Sequence, residues 1–104
     1  MQIAAAAIDQ AAARRARRLA RAACQGVALA YAVMIDGPDM DALDRYARAA
    51  GDASARDFSG QAQVARSLIA AGADAQAVVR DTITGILGDL DAEIVRLCGG
   101  RRAA

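Results

Sequence analysis

The sequence predicts an all-α fold: a small antiparallel helical bundle, with two long terminal helices and two shorter central helices. Three observations carry that prediction. Apolar residues recur at steps of three and four over long stretches, which is the period of one face of a helix. Gly, Pro and Asp punctuate the chain at Asp36-Gly37-Pro38-Asp39, at Gly51 and at Gly72, leaving room for four such stretches. Composition supplies the third: 30 of the 104 residues are Ala, which buries little area but lets helices approach closely. Ile, Leu, Val and Phe total only 21, and the net charge of +1 is too small for a disordered polyelectrolyte. Residues 1–104 therefore read as one lightly packed helical domain, with room for one modest core.

The first helix is expected from about Ile3 to Ile35. Its stripe is Ile8, Ala12, Ala16, Leu19, Ala23, Val27, Ala30 and Met34, with steps of 4, 4, 3, 4, 4, 3 and 4 that keep it nearly straight along the axis. Beyond Gly26 the helix is apolar all round, through Leu29, Tyr31, Val33 and Ile35, so this half is expected at the centre of the core. At about 1.5 Å per residue such a helix is roughly 45 to 50 Å long, whereas a compact domain of this length is only about 33 Å across. Either the first half projects, or the body is elongated, or the helix breaks at Gly26.

A second helix follows Pro38, since Pro suits a first helical turn, and it is expected to run to Ala50 and stop at Gly51. Residues 52–60 read as a loop around Phe58. The third helix is expected over Gln61–Ala71, with Val64, Leu68 and Ile69 inward and Gly72 as its stop. Asp74 caps the last helix, expected to reach Cys98 before Gly99-Gly100. Its stripe, Ala75, Val79, Ile83, Ile86, Leu90, Ile94 and Leu97, repeats the spacing of the first helix, which makes the two terminal helices natural partners. Gly85, Gly88 and Ala92 fall off that stripe and suggest a second close helix contact, within the bundle or across a dimer. Residues 99–104 are expected to fray.

Charge is distributed unevenly. Residues 1–35 carry a net of +4 and residues 36–104 a net of −3, so the chain is a dipole able to pair with itself or with an external anion. Five arginines crowd residues 14–21 of the basic amphipathic half-helix 1–25. At 100° per residue, Arg14, Arg17, Arg18 and Arg21 share a face, and Arg14, Arg18, Arg21 and Gln25 form a ladder along it. Asp36, Asp39, Asp41 and Asp44 crowd the start of the second helix. They do not follow the spacing of a calcium loop and suit the positive end of a helix dipole, with Asp39, Asp41 and Asp44 as a second candidate contact surface.

Catalytic resources are thin. The chain has no His, Lys, Asn or Trp, which removes the commonest general base and the commonest neutral metal ligand. Neither a cofactor nor a metal site is expected, and an enzyme is the least supported class. Arg in place of Lys beside abundant Ala and Gly is the usage of a GC-rich bacterial or phage genome. Cys24 and Cys98 are too few for a disulfide framework and are expected to be buried small apolar residues in a reducing cytoplasm. The uncharged run Ala22–Ile35 is short for a membrane span and interrupted by Gln25 and Gly26, so export or anchoring is not expected. A helix-turn-helix reading of Gln61 onward fails on the length of its second helix and on Asp81 beside Arg80.

The leading expectation is a homodimeric, non-enzymatic protein-binding module, an adaptor, assembly subunit or inhibitor of a larger machine, whose partner carries an acidic patch. Its contact residues would be Arg14, Arg17, Arg18, Arg21 and Gln25. A nucleic-acid regulator using the same arginines on phosphates is the alternative, with a membrane-surface helix over residues 12–35 behind it.

Overall fold

The computed structural model describes residues 2–99, with the side chains of residues 10–98. Four helices follow in order: α1 (Gln2–Asp36), α2 (Met40–Ser54), α3 (Ser59–Ala70) and α4 (Ala75–Gly99). They form the expected bundle. The long terminal helices α1 and α4 pack most extensively on each other; α2 contacts both, and α3 contacts α2 and α4. Among the described residues α1 and α3 do not touch, so they occupy opposite corners. Of residues 99–104, expected to fray, Gly99 ends α4 and residues 100–104 lie outside the described residues, and Ile8 and Asp9 lie where no side chain is described.

The ends of the helices follow their sequence. Gly37, at φ 96°, releases the chain from α1 while its N–H still reaches Val33 O. Asp39 then caps α2, its Oδ1 accepting from the Ala42 N–H at 3.0 Å. The expected stop at Gly51 is not observed: α2 continues to Ser54 and the loop shrinks to residues 55–58. Gly51 serves packing instead, because a Cβ there would lie 2.7 Å from the Arg56 carbonyl oxygen as the chain folds back. Asp57 opens α3 by accepting from the Ser59 N–H and hydroxyl, at 2.9 and 2.6 Å. Asp74 accepts from the Gln76 N–H at the start of α4.

The core is built from Leu19, Ala22 and Val33 of α1, Leu43, Tyr46, Ala47 and Ala50 of α2, and Val79, Ile83, Ile86 and Leu90 of α4. Phe58, Ala62 and Ala65 complete it from the α3 side. The α4 stripe is as read from the sequence. The α1 and α3 stripes are so only in part, through Leu19, Ala23 and Ala30 of α1 and Ile69 of α3. In α1 the buried line runs through Leu19, Ala22, Gly26 and Val33, so Val27 and Met34 face outward. Three helices cannot surround α1, and only α2 and α4 reach it, which leaves the side of its second half away from them uncovered. In α3 the small residues Ala62 and Ala65 are buried and Ile69 packs against the core, whereas Val64 and Leu68 are exposed.

Helix α1 is continuous through Gly26, and the body is elongated, 58 × 24 × 23 Å with a radius of gyration of 16.1 Å. A compact chain of this length has a radius near 13 Å. Gly26 is a contact point, not a break. A Cβ built on it would overlap the phenol of Tyr46 and lie 2.8 Å from Leu87 Cδ2, so the glycine lets α2 and α4 close on α1. The contact leaves the Tyr46 hydroxyl buried with no hydrogen-bond partner. Burial pushes its pKa up to about 12.

Candidate functional site

Of the five clustered arginines, Arg15 belongs to the bundle. Three residues before Arg18 and four before Leu19, it turns inward with Leu19, and its guanidinium donates to Glu93 Oε1 at 3.2 Å and to the Ser54 carbonyl at 3.4 Å. Glu93 also pairs with Arg96 one turn on, and that hydrogen bond, with the nearby charges of Arg15 and Arg56, holds its carboxyl below the ordinary range. The junction ties α1 to α4 and α2.

Arg14, Arg17, Arg18 and Arg21 point to solvent together with Gln25. Among the described residues none of these four arginines pairs with a carboxylate. The acids at the start of α2 are differently placed. Asp39 is used as the α2 cap, Asp44 is paired with Arg66 of α3, and Asp41 is exposed in the first turn. The two clusters do not meet within one chain. Arg21 and Asp36 are fifteen residues apart on one straight helix, about 22 Å.

An apolar strip continues the arginine surface along α1. Val27, Tyr31, Met34 and Ile35 are 47, 63, 61 and 78% exposed. Sequence reasoning placed this half of the helix at the core because it is apolar all round, and no sequence signal shows how many neighbours a helix has. Cys24 lies on the same outer face, and Cys98 is exposed on α4, so neither cysteine is the buried residue expected from its apolar character. Cys24 lies across the helix from the buried line of α1, and Cys98 follows directly on Leu97, the last residue of the α4 stripe. The stretch Gln10–Asp36 is, by length and composition alone, long and apolar enough to cross a membrane, although Leu19, Ala22 and Val33 within it are buried in the bundle.

Two further features complete the surface. Gly85 and Gly88 are exposed, and a Cβ on either meets nothing within 4 Å, so they make no close helix contact inside the bundle. Between α2 and α3 runs a groove of about 460 Å³, floored by Phe58 and walled by Arg48, Arg56 and Arg66 against Asp44, Asp52 and Asp57. Its charges balance, and Arg56 is engaged with the Phe58 ring, 5.5 Å from the centroid, and with Asp89 at 3.8 Å. Among the described residues no group of three or more His, Cys, Asp or Glu is placed to hold a metal ion. No protein-family model matches the chain, and neither a curated protein nor a solved structure shows significant similarity to it.

Proposed function

We propose that the protein is a non-enzymatic interaction module whose docking surface is the outer face of α1. One observation carries the reading: four exposed arginines, none with a carboxylate partner among the described residues, precede an exposed apolar strip on the same rigid helix. Charge beside apolar area is the composition of a protein interface, in which Arg is favoured for its planar, multiply donating head and apolar side chains supply the burial. The partner this suits presents an acidic edge beside an apolar surface. Arg14, Arg17, Arg18, Arg21 and Gln25 would form the polar half of the contact and Val27, Tyr31 and Met34 the apolar half. Asp39, Asp41 and Asp44 form a weaker second surface, since the first caps α2 and the last is held by Arg66.

The test is charge reversal at exposed positions. The triple variant Arg14→Glu, Arg18→Glu, Arg21→Glu should keep the helical circular dichroism of the parent and lose the proteins that the tagged parent retains from a cell extract. Retention of the same proteins by both would overturn the assignment. Titration with a 20-base-pair duplex and with anionic lipid vesicles addresses the other anions. Micromolar binding to DNA that collapses with salt and ignores sequence would replace the protein-binding reading with phosphate contact. Vesicle binding that needs Tyr31 and Ile35 would replace it with a membrane-surface helix.

A further inference from the structure

The apolar strip on α1 repeats, on the other side of the helix, the spacing of the buried line Leu19, Ala22, Gly26, Leu29 and Val33. Arg17, Ala20, Cys24, Val27, Tyr31 and Met34 are all exposed and follow steps of 3, 4, 3, 4 and 3. That is the seam of a two-stranded coiled coil, the spacing at which one helix meets a second of the same kind. The seam lies opposite the core, where no other helix of the chain reaches it.

Size and charge along the seam both vary from one end to the other. Its first half is small, with Ala20 and Cys24; its second half is large, with Tyr31 and Met34. Arg14, Arg18 and Arg21 flank the first half, whereas Asp36 and the exposed Asp41 lie at the far end. A parallel pair would stack Ala20 on Ala20, crowd Tyr31 against Tyr31 and set the arginine rows side by side. An antiparallel pair reverses every one of these. With a two-fold axis at the level of Gln25 and Gly26, Cys24 faces the partner's Val27, Ala20 faces the partner's Tyr31 and Arg17 faces the partner's Met34. Small then meets large, as a packed seam requires. The two arginine rows then lie at opposite ends of the pair, about 13 Å apart along the axis, instead of side by side. Arg17 can lay its aliphatic stem on the seam and keep its guanidinium in water.

We propose that the outer face of α1 pairs antiparallel with the same face of a second copy of this chain. The proposal rests on α1 being a protein-docking surface and names the occupant of its apolar half, leaving the arginines to the acidic partner. Light scattering on a sizing column, in reducing buffer near 100 µM, should give twice the chain mass for the parent. The variant Val27→Asp, Tyr31→Asp should elute as a folded monomer with unchanged helicity, because both positions are exposed. Val64→Asp, Leu68→Asp on α3 should remain a dimer. Direction is read by disulfide trapping with both native cysteines changed to Ser. Chains carrying Ala20→Cys, mixed with chains carrying Tyr31→Cys, should cross-link to one another, and neither should cross-link to itself.

A parent that is monomeric, a dimer that survives the α1 substitutions, or 20-to-20 and 31-to-31 cross-links would each overturn the proposal. A monomeric parent that still captures a partner through Arg14, Arg18 and Arg21 would leave the docking surface standing and remove only self-pairing. A dimer that captures nothing would do the opposite.

Discussion

The contact between Gly26 and Tyr46 concentrates two opposed energies in one place. A glycine inside a helix costs about 1 kcal/mol relative to Ala, and an unpartnered buried hydroxyl costs about 1 to 3 kcal/mol. Both are tolerated because they let three helices close at one point. Gly26→Ala should therefore lower stability by about 1 to 2 kcal/mol in urea unfolding, since overpacking against a rigid ring outweighs the gain in propensity. Tyr46→Phe should raise stability by about 1 kcal/mol by removing the orphaned hydroxyl. The hydroxyl is also the atom nearest the added methyl, so Gly26→Ala should cost less in the Tyr46→Phe background, a coupling that a double-mutant cycle reads directly. Equal costs in both backgrounds would show that the ring, not its oxygen, sets the approach. Sequence alone singled out Gly26 as the place where a long helix must be explained. It could not supply the phenol from twenty residues away, because a close approach is a property of two elements.

At the scale of elements, the sequence was most legible where a helix is surrounded and least where it is not. Helix α4 packs against three neighbours, and its stripe was read correctly from Val79 to Leu97 because one buried face dominates its pattern. Helix α1 is apolar on two sides, so periodicity could place its buried face only in part: Leu19, Ala23 and Ala30 of the expected stripe meet the core, whereas Val27 and Met34 at its edge do not. Arg15 and Arg14 are adjacent in sequence and unlike in role for the same geometrical reason, 100° of rotation. Arg15 fastens α1 to α4 through Glu93, and this fastening should respond to acid. The folded Glu93 carboxyl titrates below its unfolded value, so its contribution is complete at neutral pH and is lost as the pH falls below the ordinary carboxylate range and the folded carboxyl is protonated. Glu93→Gln should accordingly lower the melting temperature at pH 7 and cost less in strong acid, near pH 2. An equal loss at both pH values would mean that packing, not charge, carries the junction. The outward arginines Arg14, Arg17, Arg18 and Arg21 were legible as a face, and so was the acidic cluster. That Asp44 is already occupied by Arg66 was not, since the pairing spans two helices.

For the molecule as a whole, the arrangement is that of a rod with an asymmetric skin. Its long dimension of 58 Å is close to the length of α1 alone, about 52 Å at 1.5 Å per residue. The other three helices cover one side of that rod, and the bundle's fold class, element order and pairing of terminal helices were all evident from spacing and punctuation. Its elongation has a hydrodynamic consequence. Two such rods paired through α1 about an axis at Gln25 and Gly26 would be offset by roughly 20 Å, so the cross-section would double while the length grew by only about a third, and the axial ratio would fall from about 2.5 to roughly 1.6 in one transverse direction. End-to-end joining would double it instead. A side-by-side dimer should therefore show a lower frictional ratio than the single chain, and sedimentation velocity should record a dimer that is rounder than its own monomer.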